Sequence, residues 1–134
     1  MNLNERVIAI KSGGEMASAI VWRLYHARMR RIVILETKHP LAVRRTVSFC
    51  EAVHDGSCMV EDVRGVRIDG PDQVEAVWAA GDIPVLVDPA WDSLRFIRPD
   101  ALVDAIIAKR NLGTSVHDAP LVVGLGPGFE AGKD

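Results

Sequence analysis

The chain has 134 residues, 49% of them hydrophobic and 25% charged, with a formal net charge of -2 and a pI near 6.1. That length holds one domain with a real core, and the charge balance gives no footing for a nucleic-acid or acidic-membrane partner. Every apolar run is too short to span a bilayer, the amino terminus is polar, and Cys50 and Cys58 read as reduced thiols. A cytoplasmic protein without a membrane segment is the expectation.

Arg6 to Lys11 reads as a buried strand bounded by a glycine turn, Ser12-Gly13-Gly14. From Glu15 to about Arg30, Met16, Ile20, Leu24 and Ala27 recur at helical spacing, and Arg28, Arg30 and Arg31 suit the negative end of the dipole. Ile32 to Leu35 is a second strand closed by Glu36, so a right-handed βαβ unit is predicted.

Leu41 to Val53 leaves a short helix and a strand both open. Met59 to Asp69 fits a hairpin or one extended strand, with Gly65 as the turn. Pro71 opens a short helix carrying Val74, Val77 and Trp78 and ended by Gly81. Ile83 to Val87 is a strand, and Ala90 to Ile97 an amphipathic connector. Ala101 to Ala108 is read as a strand in preference to a helix, because Lys109, Arg110 and Asn111 then stand at its carboxyl end. Leu121 to Leu125 is the last strand, and it runs into a second glycine-rich loop with Gly124, Gly126 and Gly128. The chain stops within six residues of that loop, so it is expected to be the amino-terminal part of a longer protein.

A glycine turn between strand and helix places free N–H groups at the positive pole of a helix, which is how phosphate is held. The small positions of a dinucleotide fingerprint fall at Ser12, Gly14 and Ala17, and Glu36, 22 residues past Gly14, stands where a ribose hydroxyl would be read. Ser12 replaces the usual first glycine, and Glu15 would compete with a pyrophosphate for the helix field. A tight turn without a ligand gives the same pattern.

Lys109, Arg110 and Asn111 are candidates for holding further anionic charge, and Arg44-Arg45 is a second basic pair. Gly124, Gly126 and Gly128 form a possible second phosphate-facing loop, with one donor lost at Pro127. Cys50, His54 and Cys58 fall at four-residue steps, but the Asp55-Gly56-Ser57 turn signal argues against one helix, and no metal site is expected. No catalytic triad or acid/base pair stands out, so enzymatic activity is left open.

Four blocks carry a family resemblance: residues 11–17, 40–49, 104–114 and 119–129. They resemble the accessory proteins of selenium-dependent molybdenum hydroxylases of the YqeB type, which are distantly similar to the XdhC/CoxI maturation factors. The resemblance implies an α/β, Rossmann-like domain with a mostly parallel sheet flanked by helices. It also implies a role in maturing a molybdenum-cofactor enzyme, with the hydroxylase apoenzyme as partner and room for a homo-oligomer.

The expected ligand is then NAD(P), another nucleotide or a molybdopterin-type cofactor. Ser12, Gly13, Gly14, Glu36, Lys109, Arg110, Asn111, Gly124, Gly126 and Gly128 would contact it. The alternative is an NAD(P)-dependent oxidoreductase domain, which needs a general acid near the nicotinamide.

Overall fold

The computed structural model describes residues 3–40, 42, 44–107, 111 and 113–129. Its strands are β1 (Ile8–Lys11), β2 (Ile32–Glu36), β3 (Ser57–Val60), β4 (Val63–Ile68), β5 (Ile83–Val87), β6 (Ala101–Asp104) and β7 (Leu121–Gly124). Among the described residues they form one seven-stranded sheet in the order β3-β4-β5-β2-β1-β6-β7. Every pairing is parallel except the β3–β4 hairpin. The helices are α1 (Glu15–His26), α2 (Glu51–Asp55), α3 (Val74–Ala79) and α4 (Leu94–Ile97). This is an α/β fold with a mostly parallel sheet and flanking helices. None of the described helices is long and apolar enough to cross a membrane.

The strands at the centre are buried on both faces, which is why they read as unbroken apolar runs. Ile8, Ile10, Ile32, Ile34 and Val85 pack on one face against Ala17 and Val21 of α1 and Ala52 and Val53 of α2. Ala9, Val33, Leu35, Leu86 and Leu102 pack on the other with Val74, Trp78, Trp91 and Leu94. Side chains alternate along a strand, so Lys11 and Asp104 share the second face while Glu36 shares the first.

Several expectations are corrected. Helix α1 turns Ala17, Ser18 and Val21 to the sheet, while Met16 is exposed and Ile20 and Leu24 are half-buried. The start of α1 lies close against β1 and the loop before α2, where only small residues fit. Ser18 Oγ donates to the Gly13 carbonyl and accepts the Phe49 N–H.

The helix also stops at His26 rather than near Arg30. The Met29 N–H bonds the Leu24 carbonyl and Arg28 adopts φ +69°. That is a helix stop built without the glycine that normally signals it. Arg28, Arg30 and Arg31 therefore lie beyond α1; Arg30 stacks on Tyr25, and Arg31 stacks on Trp78 and pairs with Glu75.

Met59 to Asp69 is a hairpin, but its turn is Glu61-Asp62. Gly65 lies inside β4, where an added Cβ would stand 2.8 Å from the Phe49 ring. In the 41–53 region a 3-10 turn at Arg45–Val47 and α2 replace the strand option. β6 ends at Asp104, so the strand read from Ala101 onward is shorter than expected.

Candidate site at the carboxyl edge of the sheet

From β1 the chain runs through α1 to β2, through α2 to the β3–β4 hairpin at the sheet edge and back through α3 to β5, all on one side of β1, while β6 and β7 lie on the other. The strand order therefore reverses between β1 and β6, where sheets of this kind open a crevice beyond their carboxyl ends. Four of the parallel strands end on that edge in, or just before, a buried ionisable residue: Lys11 is the last residue of β1, Glu36 of β2 and Asp104 of β6, and Asp88 follows β5.

On the α1 face stands the glycine turn. Ser12 adopts φ +87°, the left-handed region that the fingerprint's first glycine would occupy without strain. Its N–H donates to the Leu35 carbonyl, and its Oγ accepts the Gly14 N–H at 3.1 Å. The Gly13 N–H donates to Glu36 Oε2 at 2.6 Å, while Glu36 Oε1 accepts the Thr37 N–H at 2.8 Å.

Two amides that a phosphate would use are thus engaged by the protein's own side chains. Glu36 binds the turn directly from a buried position. Gly13 is further confined by Cys50, whose N–H donates to the Gly13 carbonyl and whose backbone would meet an added Cβ at 2.9 Å. Glu15 Oε1 accepts the Arg44 backbone N–H, and the Arg45 side chain pairs with Glu51, so this loop is tied to α1 by a main-chain amide and to α2 by one arginine.

On the α4 face the arrangement differs. Lys11 is 1% exposed, and its Nζ donates to Thr114 Oγ1 at 2.8 Å. The Thr114 hydroxyl in turn donates to Asp104 Oδ2 at 2.6 Å, while Asp104 Oδ1 accepts the Ile106 N–H. Lys11 and Asp104 are direct register partners across β1 and β6. The Lys11 ammonium also lies 4.8 Å from the centre of the Trp91 ring. Burial lowers its pKa, against the opposing pull of Asp104 and then Asp118.

Thr114 is fixed by Asn111, whose Oδ1 accepts the Gly113 and Thr114 N–H groups and whose Nδ2 donates to the Thr114 carbonyl. Above Lys11 opens a cleft of about 460 Å³ lined by Trp91, Asp92, Arg95, His117 and Asp118. Trp91 itself sits at φ +60°, a second left-handed residue beside the site.

The structure brings Ser12, Gly13, Gly14 and Glu36 together and sets Asn111 across the sheet from them. Lys109 and Arg110 lie outside the described residues. Gly124 and Gly126 serve close packing: the Phe129 ring stands where a Gly124 Cβ would be, at 2.7 Å, and Gly126, at φ +110°, touches the Ile107 backbone. Gly128 is half-buried beside them.

The Cys50–His54–Cys58 stripe does not form. Cys50 is buried before α2, His54 is exposed and bonded to the Pro40 carbonyl, and Cys58 lies on β3. Among the described residues no cluster suited to a metal ion occurs. Sequence reasoning missed Lys11, Asp104 and Trp91 as a set. Its one available signal was a charged residue closing each of two apolar strands.

The chain is 42% identical over 129 residues to "Uncharacterized protein YqeB" of Escherichia coli (strain K12). The match covers 96% of this chain and 24% of that protein, so the chain spans about a quarter of the length of this relative. No protein-family model matches the chain. No solved structure matches it. The chain is therefore a homologue of one segment of YqeB, over nearly all of its own length.

Proposed function

We propose that this domain is a Rossmann-like module of an accessory factor that matures a molybdenum-cofactor hydroxylase. In that role it holds a nucleotide or other phosphate-bearing ligand at the carboxyl edge of its sheet. The observation that carries the ligand half is Lys11, a buried cation at the reversal of strand order that forms the floor of a cleft beside Trp91 and Arg95. An aromatic wall and cations in one crevice suit a ligand with a planar ring and an anionic group.

The glycine turn supports a phosphate less well, because Glu36 and Ser12 already accept its Gly13 and Gly14 amides. What remains there is the open first turn of α1 and its dipole. The hydroxylase role rests on the resemblance of the four sequence blocks, and the apoenzyme is the proposed partner.

Thermal-shift measurements with NAD, NADP, ATP, CTP and a molybdopterin-type ligand test the first half. A ligand at about 100 times its Kd adds about 2.7 kcal/mol of stability. Two variants locate it. Gly14→Val has room for its Cβ, the nearest atom being Ser12 Oγ at 3.4 Å, and Arg95→Glu lies on the exposed rim. Loss of the shift in Arg95→Glu alone places the ligand in the cleft; loss in Gly14→Val alone places it at the turn. No shift with any ligand at saturation removes the binding reading. Copurification with a molybdenum hydroxylase tests the partner, and hydride transfer to a test substrate would instead assign an NAD(P)-dependent oxidoreductase.

A further inference from the structure

Lys11 is the buried one among the described lysines and arginines, and its surroundings exceed what charge neutralisation requires. A lysine held only as a counter-ion would touch its carboxylate. Here the Thr114 hydroxyl stands between Nζ and Asp104, accepting from one and donating to the other. The amine is thereby oriented without being locked as an ammonium by direct contact. Trp91 covers one side of it, and Asp118 lines the cleft that it floors. Asp118 is held in turn, its Oδ2 accepting the Ser115 N–H at 2.9 Å.

We propose that the Lys11 amine captures the carbonyl group of a small aldehyde or ketone as an imine in this cleft, with Asp118 moving the protons. The step rests on the cleft being the ligand site. Asp118 takes a proton from the Lys11 ammonium, and the freed lone pair adds to the carbonyl carbon. A proton passes from the nitrogen to the carbonyl oxygen, which becomes a hydroxyl, giving a neutral carbinolamine. That hydroxyl then leaves as water with the proton returned by Asp118, while the nitrogen lone pair forms the C=N bond of a protonated imine that keeps the last N–H proton. Ammonium and carbonyl are converted to protonated imine and water, with no change of oxidation state. Burial also favours the neutral amine that must attack. Arg95 and His117 on the cleft wall suit a carbonyl compound that also bears a carboxylate or phosphate.

The test uses glyoxylate as probe, with cyanoborohydride near neutral pH to reduce any imine to a stable secondary amine, followed by peptide mass spectrometry of the whole chain. Lys11 is expected to be labelled at least tenfold faster than Lys38, which is exposed, and the preference is expected to vanish in urea. Asp118→Asn keeps an oxygen for the Ser115 N–H and is expected to slow Lys11 labelling roughly tenfold or more.

Labelling of Lys11 no faster than that of Lys38, or an unchanged rate in Asp118→Asn, overturns the proposal. Nucleotide thermal shifts on the same samples keep the two readings apart. A shift without Lys11 labelling removes the imine and leaves the nucleotide site; labelling without a shift does the reverse.

Discussion

Lys11 and Gly13 are two residues apart, yet they serve opposite faces of the sheet and solve opposite problems. On the α1 face the glycine turn is closed on itself: Glu36 takes one amide, Ser12 another, and Cys50 presses on Gly13. On the α4 face a lysine is buried under an open cleft and connected through a hydroxyl to a carboxylate. The first is a motif whose donors are already satisfied. The second is a charged network whose remaining side is available to a ligand. The difference shows why a glycine pattern alone is a weak guide: the same N–H groups that could hold phosphate can be held by a neighbouring strand's carboxylate.

The largest expected effect tests the cleft face. Asp104→Ala leaves the Thr114 hydroxyl without its buried acceptor and the Lys11 ammonium without the carboxylate linked to it through that hydroxyl. Breaking a buried charged network in this way costs about 3 kcal/mol or more, readable by urea unfolding. A loss under 1 kcal/mol would mean that Asp118 or water compensates fully, and the contrast between the two faces would blur.

Next comes Gly13→Ala on the turn face. Its Cβ would meet the Cys50 amide nitrogen at 2.9 Å, and backbone yields less easily than a side chain. Overpacking of this kind costs about 2 kcal/mol. Gly14→Ala, with its open surroundings, serves as the mild control in the same unfolding series.

Cys50 offers a pH test of the same face. Burial first, and then the Glu36 and Glu51 carboxylates, push its thiol up to about 12 from an ordinary value of 9.0. The unfolded chain therefore releases this proton at lower pH than the folded one. The Cys50 contribution is fully present below pH 9.0 and is lost as pH rises toward about 12. Across that interval wild type should lose up to about 1.4 kcal/mol per pH unit relative to Cys50→Ala. Lys11 acts in the opposite sense, since its lowered pKa makes stability rise with pH below 10.5. It is common to both proteins, so it cancels in their difference. Parallel slopes for the two proteins in urea titrations would contradict the burial argument.

The smallest effect concerns Ser12. Ser12→Gly relieves the φ +87° strain but loses the bond to the Gly14 amide, whereas Ser12→Ala keeps the strain and loses the same bond. Glycine should be more stable than alanine there by about 1 kcal/mol, measured as a difference in unfolding free energy. Equal stabilities would show that the turn is not strained.

Much of the α/β architecture was legible. Ile83–Val87 has the expected bounds, β1 and β2 differ from expectation only at their ends, and the Pro71 signal starts the helical segment that Gly81 ends. The misreadings share a cause. Hydrophobic spacing puts the buried face of α1 on Met16, Ile20, Leu24 and Ala27, but close approach at the glycine turn selects Ala17 and Ser18 instead. Gly65 looked like a turn and proved to be a space for the Phe49 ring. Gly124 makes room for Phe129 in the same way. A glycine needed for a neighbour's volume is indistinguishable in sequence from one needed for a bend.

The sequence by itself determined the alternation of apolar strands and helical segments, because burial on both faces leaves no polar positions within a central strand. It also set the charged residues that close those strands. Only the tertiary structure decided which of them meet. Lys11 and Asp104 lie 93 positions apart and become neighbours because β6 pairs with β1 on the side away from β2. Glu36 faces the glycine turn, and Lys11 faces Trp91, because side-chain direction alternates along a strand and the two residues end their strands on opposite faces.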